Sequence, residues 1–305
     1  DDFNSTDQWA ARLSLLYDAT DKLHFLLKFD TSQQTPTQFG GRISVLDPAQ
    51  VPTVCAGFGA GVGCGFFAAP YFPTGLRNWE TESNYVPHFK NFPDSGTLTT
   101  TYNIGPALEL TSVTSLAYGR IEAPQENDSS PLQIFEVPRN QSVVHQFSED
   151  LRIASSFSGP FNFILGAYYN RERASNGQKI ELFAVAGGHC DLLLGAACSG
   201  INSYKQTKDD TAAYFDGSYK LGERVTLRGG IRFTRDKGRL SQYNAGFFDI
   251  DGTNPYYFAT DLATCNLFGF TAAPCPGLHD ASDSYSNNDT SGRLGVDFRI
   301  TPDAL

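Results

Sequence analysis

Apolar and polar residues alternate along much of this chain. In "HQFSEDLRIASSFSGPFNFILGAYYNRE", residues 145–172, Phe147, Leu151 and Ile153 share one parity against Ser148, Asp150 and Arg152. Beyond a Ser-Gly-Pro break, Phe161, Phe163, Leu165, Ala167 and Tyr169 share a parity, although Ile164 and Tyr168 blur the other. Period 2 is the signature of a strand whose two faces differ. The same pattern sets Trp9, Ala11, Leu13, Leu15 and Tyr17 against Arg12 and Ser14, and Leu23, Phe25, Leu27 and Phe29 against His24, Lys28 and Asp30. It recurs where Val225, Leu227, Ile231 and Phe233 oppose Arg228, Arg232 and Thr234, and where Leu294, Val296, Phe298 and Ile300 oppose Arg293, Asp297 and Arg299. "GTLTTTYNI" and "LELTSVTSLAYGR", around Gly105-Pro106, read as strands of unresolved parity.

These segments predict nine antiparallel strands at 9–17, 23–33, 96–104, 108–120, 145–155, 161–172, 209–220, 225–236 and 290–301. Two kinds of connection alternate between them. Residues 18–22, 104–107, 156–160, 220–224 and 301–305 are tight; 34–96, 120–144, 173–208 and 238–283 are long. Long loops are unusual in a compact domain, and here all fall at one end. Strands of about ten residues with short turns at one end and long loops at the other describe an outer-membrane barrel. The expected fold is therefore all-β: an antiparallel transmembrane β-barrel segment with short periplasmic turns and long extracellular loops. One face would meet lipid and the other a polar lumen, with the strands joined into a closed sheet because unpaired backbone cannot face lipid. Trp9, Tyr17, Phe29, Tyr169 and Phe233 would suit the aromatic girdles. A soluble β-sandwich shares the alternation but does not account for long loops confined to one end.

Composition agrees. Of 305 residues, 18% are charged, below the roughly 25% of soluble domains. The net charge of −10 argues against a nucleic-acid partner, which needs a basic face. No apolar run approaches the roughly 18 residues of a transmembrane helix, and a mean hydropathy of −0.29 is compatible with a barrel, whose signal alternates. Methionine is absent and no signal peptide is visible, so the sequence reads as a mature form or an internal fragment.

The six cysteines lie in long connections as close pairs, Cys55 with Cys64, Cys190 with Cys198 and Cys265 with Cys275. Local even pairing suggests three intra-loop disulfides in an oxidising compartment, placed outside the strands. No C-x-x-C spacing supports a metal site, and His189-Cys190-Asp191 is better explained by a disulfide. No nucleophile–base constellation can be argued from spacing, so no enzyme activity and no cofactor are expected. The Gly-rich stretch from Cys55 to Trp79 lacks a phosphate-loop pattern. Its Phe66, Phe67, Tyr71, Phe72 and Trp79, with Tyr256, Tyr257 and Phe258 of "NPYYFATDLATC", are candidates to stack on a ligand, or else pack loop on loop. Asp150, Arg152, Arg228, Arg232, Arg293, Asp297 and Arg299 are expected to face the lumen. There they would either pair as a wall network or bind ligand or plug.

Three stretches carry a resemblance: "FSEDLRIASSFSGPFNFILGAYYNRE", "DDTAAYFDGSYKLGERVTLRGGIRFTRDK" and "SGRLGVDFRITPD". They resemble recurrent hairpins of the barrel of TonB-dependent outer-membrane receptors, with Asp150 where the family usually has Glu and Phe233 where Tyr is common. The resemblance implies a plugged barrel in the bacterial outer membrane. It also implies uptake of a scarce nutrient such as a ferric siderophore, energised through the TonB complex. With nine strands, no plug, no TonB box and Leu305 in place of a terminal aromatic, residues 1–305 are expected to be part of such a barrel, lacking plug and C-terminal strands. A passive porin-type channel and a soluble all-β adhesin or carbohydrate-binding module are the rival readings.

Overall fold

The computed structural model describes residues 3–41, 77, 80–81, 83–182, 184, 189–190, 197–253 and 277–299. Among these residues, nine long strands and one short one form a single antiparallel sheet. They are β1 (Gln8–Thr20), β2 (Leu23–Gln34), β3 (Lys90–Asn103), β4 (Leu108–Glu122), β5 (Gln125–Glu126), β6 (Phe135–Ser155), β7 (Phe161–Leu182), β8 (Cys198–Leu221), β9 (Val225–Asp249) and β10 (Gly277–Phe298). Each long strand pairs with the next in sequence, and two-residue β5 pairs beside β4 onto β6.

Local chemistry fixes the tight ends. In the turn after β1, Thr20 Oγ1 accepts from the Lys22 and Leu23 amides at 3.2 and 3.1 Å. Between β6 and β7, Asn162 Oδ1 accepts from the Phe157 amide at 2.6 Å and its Nδ2 donates to Phe157 O at 3.1 Å, closing residues 156–160. Gly222 opens the β8–β9 turn at φ 69°, a left-handed conformation that costs glycine little.

Where the buried residues sit separates this sheet from a soluble sandwich. Leu13, Leu16, Leu116, Phe233 and Leu294 are all more than half exposed. Buried apolar residues among those described, such as Ile134, Val137 and Ala197, cluster at the long-connection end instead. A sandwich would cover the apolar face of the sheet with a second layer; here no described element covers it.

Two expectations need correction. The strands were expected to be about ten residues long, but β6 to β10 run 21–25 residues. Much of what reads as connection at 120–144, 173–208 and 238–283 is ladder: Lys179 pairs with Ile201, and Ser203 with Asn244. The physical reason is that these extensions carry polar residues on both parities, as at Ser175, Asn176, Gln178 and Lys179, so no alternation marks them. Likewise β3 begins at Lys90, ahead of the expected 96, and β10 at Gly277, ahead of the expected 290. Second, the bridged cysteines were placed outside the strands, whereas Cys198 is the first residue of β8.

Candidate functional site

Register assigns every strand residue to a face. Asp150 pairs with Tyr168, Arg152 with Gly166, Gly166 with Tyr214, and Tyr214 with Arg232. These five side-chain positions and Gly166 therefore share one face. On it the Tyr214 hydroxyl donates to both Asp150 oxygens at 3.2 and 3.1 Å, and Arg152 Nη1 lies 3.7 Å from Asp150. The Arg232 guanidinium sits 5.7 Å from the ring centroids of both Tyr168 and Tyr214. Alongside, Arg293 bonds Asp216 at 2.7 Å and Arg228 bonds Asp297 at 2.5 Å. Glycine makes the room. A Cβ on Gly166 would meet the Tyr214 ring at 2.2 Å, and one on Gly230 would meet Asp216 Oδ2 at 2.4 Å.

The other face carries Leu227, Ile231, Phe233, Phe215, Leu165 and Leu151, all exposed. A carboxylate interrupts its apolar run on β6. Glu149 lies between Leu151 and Phe147 and accepts hydrogen bonds from Ser112 Oγ at 2.6 Å and Thr114 Oγ1 at 2.5 Å. The hydroxyls of β4 thus serve the acid of β6 directly across the pair.

At the long-connection end, acids tie segments together. Asp128 accepts from the Ser130, Ile134 and Phe135 amides at 3.0, 3.1 and 2.8 Å, and Glu126 from those of Asp128 and Ser129 at 2.9 and 2.8 Å. The Gln38 amide group is bonded to the Glu126 backbone at 2.5 and 2.8 Å, and Asn84 donates to the Glu136 carboxylate. Burial pushes the Glu126 and Glu136 carboxyls above the usual range, outweighing the donors that lower them. Burial and the surrounding acids also push the Tyr85 hydroxyl up. Cys190 and Cys198 are disulfide-bonded. Beside that bridge, Asp249 accepts from the Cys190 amide at 2.7 Å and faces His189 Nδ1 at 3.0 Å, which raises the imidazole pKa. The donor pattern is that of a tethered loop base, and among the described residues no group of His, Cys, Asp and Glu could hold a metal.

A family profile described as TonB dependent receptor-like, beta-barrel, matches residues 57–305. The chain belongs to this family. Solved structures share the fold of this TonB-dependent receptor barrel. The ferric yersiniabactin uptake receptor FyuA from Yersinia pestis matches 99% of this chain and 37% of its own, at 15% identity and a TM-score of 0.64. The siderophore receptor PiuA from Acinetobacter baumannii matches 97% and 40%, at 13% identity and 0.59. The ferric-catecholate import receptor Fiu from E. coli K12, in its open form, matches 97% and 45%, at 11% identity and 0.56. The chain thus spans about two-fifths of the length of these receptors. No curated protein matches it.

Within the receptor barrel, the structure gathers Asp150, Arg152, Arg228, Arg232, Arg293 and Asp297 onto the polar face, with Asp150 beside Arg152, Arg228 beside Asp297, Arg293 beside Asp216, and Arg232 over the Tyr168 and Tyr214 rings. Arg299 lies just past β10, its amide donating to Arg224 O at 2.8 Å. Phe66, Phe67, Tyr71, Phe72, Trp79, Tyr256, Tyr257 and Phe258 lie outside the described residues, as do Cys55, Cys64, Cys265 and Cys275. Sequence reasoning missed Tyr168, Tyr214 and Asp216. For Tyr214 and Asp216 the signal was present in "AAYFDGSY", where Tyr214, Asp216 and Ser218 alternate with Phe215, Gly217 and Tyr219. Aromatics on both parities concealed it.

Proposed function

We propose that this chain supplies wall and loop surface to an outer-membrane receptor that takes up a scarce nutrient, a ferric siderophore, with energy delivered through TonB to a plug domain. The observation that carries the reading is the family match over residues 57–305. The names of the fold neighbours, which are uptake or import receptors for ferric yersiniabactin and ferric catecholates, support the ligand class. In this reading the face bearing Leu227, Ile231 and Phe233 meets lipid. Asp150, Arg152, Arg228, Arg232, Arg293, Asp297 and Arg299 line the lumen, where the pairs Asp150–Arg152, Arg228–Asp297 and Arg293–Asp216 offset much of the wall's charge. Loop aromatics, Phe66, Phe67, Tyr71, Phe72, Trp79, Tyr256, Tyr257 and Phe258, contact the ligand. Cys55–Cys64 and Cys265–Cys275 pin their loops as Cys190–Cys198 does. The chain's role is binding and transport, without catalysis or a resident cofactor.

The test is uptake of radiolabelled ferric siderophores by iron-starved cells expressing the intact receptor, with and without a functional TonB complex. TonB-dependent uptake is the expected result. Solute flux indifferent to TonB would make the protein a passive channel, and recovery of the protein without detergent would make it a soluble module.

A further inference from the structure

On the face that bears Leu227, Ile231 and Phe233, the part of the sheet from β3 to β7 has two unlike flanks around an apolar middle. Its rows read Leu98, Thr114, Glu149 and Tyr169, then Gly96, Leu116, Phe147 and Arg171, then Asp94, Tyr118, His145 and Arg173. The acid Asp94 therefore stands on the β3 flank and the cation Arg171 on the β7 flank. Asp94 accepts from Thr31 Oγ1 at 2.6 Å and has no ion pair with another described side chain. Between the flanks is a hollow of about 760 Å³ over Phe29, Leu116 and Phe147. It is open because Gly96 has no side chain, and a Cβ there would lie 3.3 Å from the Phe29 ring. Leu116 beside it is 61% exposed. Asp30 also borders the hollow, but it is already engaged by Arg12.

Heights on this face are counted from the tight-turn ends of the strands. On the two central strands, Leu116 is 8 residues up β4 (116 − 108) and Phe147 is 8 up β6 (155 − 147). On the flanks, Gly96 is 7 up β3 (103 − 96) and Tyr169 is 8 up β7 (169 − 161). Asp94 is 9 up β3 (103 − 94) and Arg171 is 10 up β7 (171 − 161). A two-fold axis along the membrane normal preserves height and exchanges the flanks. With that axis between β4 and β6, a second copy sets Leu116 against Phe147, Tyr169 against the hollow left by Gly96, and Asp94 against Arg171. The patch is complementary to itself in both shape and charge. Arg171 already engages Asp209 at 2.7 Å, and a guanidinium has five donors, enough to serve a second acid. Glu149 lies just below, 6 residues up β6 (155 − 149). Acyl chains would fill the hollow but offer nothing to Asp94 or Glu149, whereas polar groups at this depth join proteins within a bilayer.

We propose that this patch is an isologous interface between two copies of the receptor, side by side in the membrane. The inference rests on the reading that this face lies in the bilayer plane. Four strands about 4.8 Å apart and ten residues tall present roughly 600 Å² per copy. That is the lower end of specific interfaces, about 600–1,000 Å² per partner.

The test uses the intact receptor. Leu116→Cys and Phe147→Cys chains, coexpressed with different tags, should cross-link to each other in native membranes under mild oxidation. Leu116→Cys with Leu227→Cys, on the same face of β9, should not. Cross-linking no better than in that control overturns the interface. Self-association is then measured in phospholipid vesicles by energy transfer over a dilution series, with heat-modifiable mobility confirming that each variant is folded. Asp94→Asn and Arg171→Gln should each weaken association about tenfold, as loss of an interfacial charge pair does, and the double variant should be no weaker than either. Unchanged association in both single variants, or additive losses in the double, overturns the pairing, and the cross-link decides for any variant that fails to fold. A wild type that stays monomeric, its hollow filled by lipid, overturns the proposal. Siderophore uptake is read in the same cells. Dimers without uptake refute the transport reading and leave the interface standing, while uptake by a monomeric wild type refutes the interface alone.

Discussion

β7 and β8 are one unbroken ladder, from Phe161 opposite Tyr219 to Leu182 opposite Cys198. Yet the two halves obey different rules. In the half beside the tight turn, Phe161, Phe163, Leu165 and Ala167 alternate with residues that reach Tyr214, Asp210 and the rest of the polar network. In the other half, Ser175, Asn176, Gln178, Lys179 and Glu181 are polar on both parities. Backbone pairing is indifferent to this change, because the ladder bonds are the same in both. On the proposed reading, the first half separates lipid from lumen and the second projects into water, so a side chain's proper chemistry is set by face in the first and hardly at all in the second.

The largest contrast should come from placing charge in each half. Ile231→Arg puts a guanidinium on the apolar face six residues from the tight-turn end of β9 (231 − 225). At mid-bilayer that substitution should cost about 2–4 kcal/mol. Gln178→Arg, in the projecting half of β7, should stay within about 0.5 kcal/mol. Equilibrium unfolding of the intact receptor in lipid vesicles measures both. Equal costs would break the division, and a reversed order would mean that the register is off by one and every face assignment flips.

Glycine gives a second, smaller contrast. Gly166→Ala would drive a methyl into the Tyr214 ring, which is held by its hydrogen bonds to Asp150, and the ring must leave that acid to make room. Overpacking of this kind should cost about 1–3 kcal/mol. Gly177→Ala, in the projecting half of the same strand, meets nothing within 4 Å and has no positive φ. It should be neutral or stabilise by about 0.4–1 kcal/mol through the unfolded chain. Thermal unfolding of the two variants decides. In a Tyr214→Ala background the Gly166→Ala penalty should vanish, and its persistence there would assign it to something other than the ring.

The same division explains what was legible in the sequence. Strands bounded by two media announce themselves, and β1, β2, β6, β7 and β9 were found near their tight-turn ends. β3 and β4 were found without their faces, because Thr97, Thr99, Thr100 and Thr101 suit either side. The projecting ladders could not be read, since Asn202, Ser203 and Gln206 look like loop wherever water lies on both sides. The polar network was half legible. Formal charges marked Asp150, Arg152 and Arg232, but the tyrosines that join them read as apolar, and the glycines that seat them carried no mark. Glu149 is the converse case. It shares parity with Phe147 and Leu151, and only Ser112 and Thr114 on the neighbouring strand explain its place.

The smallest expected effect is confined to the projecting end and depends on pH. Glu126 and Glu136 are buried, and burial raises both pKa values above their ordinary 4.5. A carboxyl with a raised folded pKa binds more protons folded than unfolded just above pH 4.5. Stability from this source is therefore greatest at low pH and falls as pH rises through the interval up to the folded value. His189 points the same way by another route. Asp249 raises its pKa above 6.5, so its contribution is full below 6.5 and is lost as pH rises through the folded value. Amide exchange, corrected for the intrinsic rate, should thus be slower at pH 5.5 than at 7.5 for Ser129, which donates to Glu126, and for Cys190, which donates to Asp249. Amides of β7 between Phe161 and Tyr169 should show no such change, because those donors are held by the wall ladder. Glu136→Gln keeps the shape and the Asn84 contact while removing one titration, so it should flatten the response around Ser129 and leave Cys190 as it was. A wall that loosened in step with the projecting end would mean that the two halves unfold as one unit.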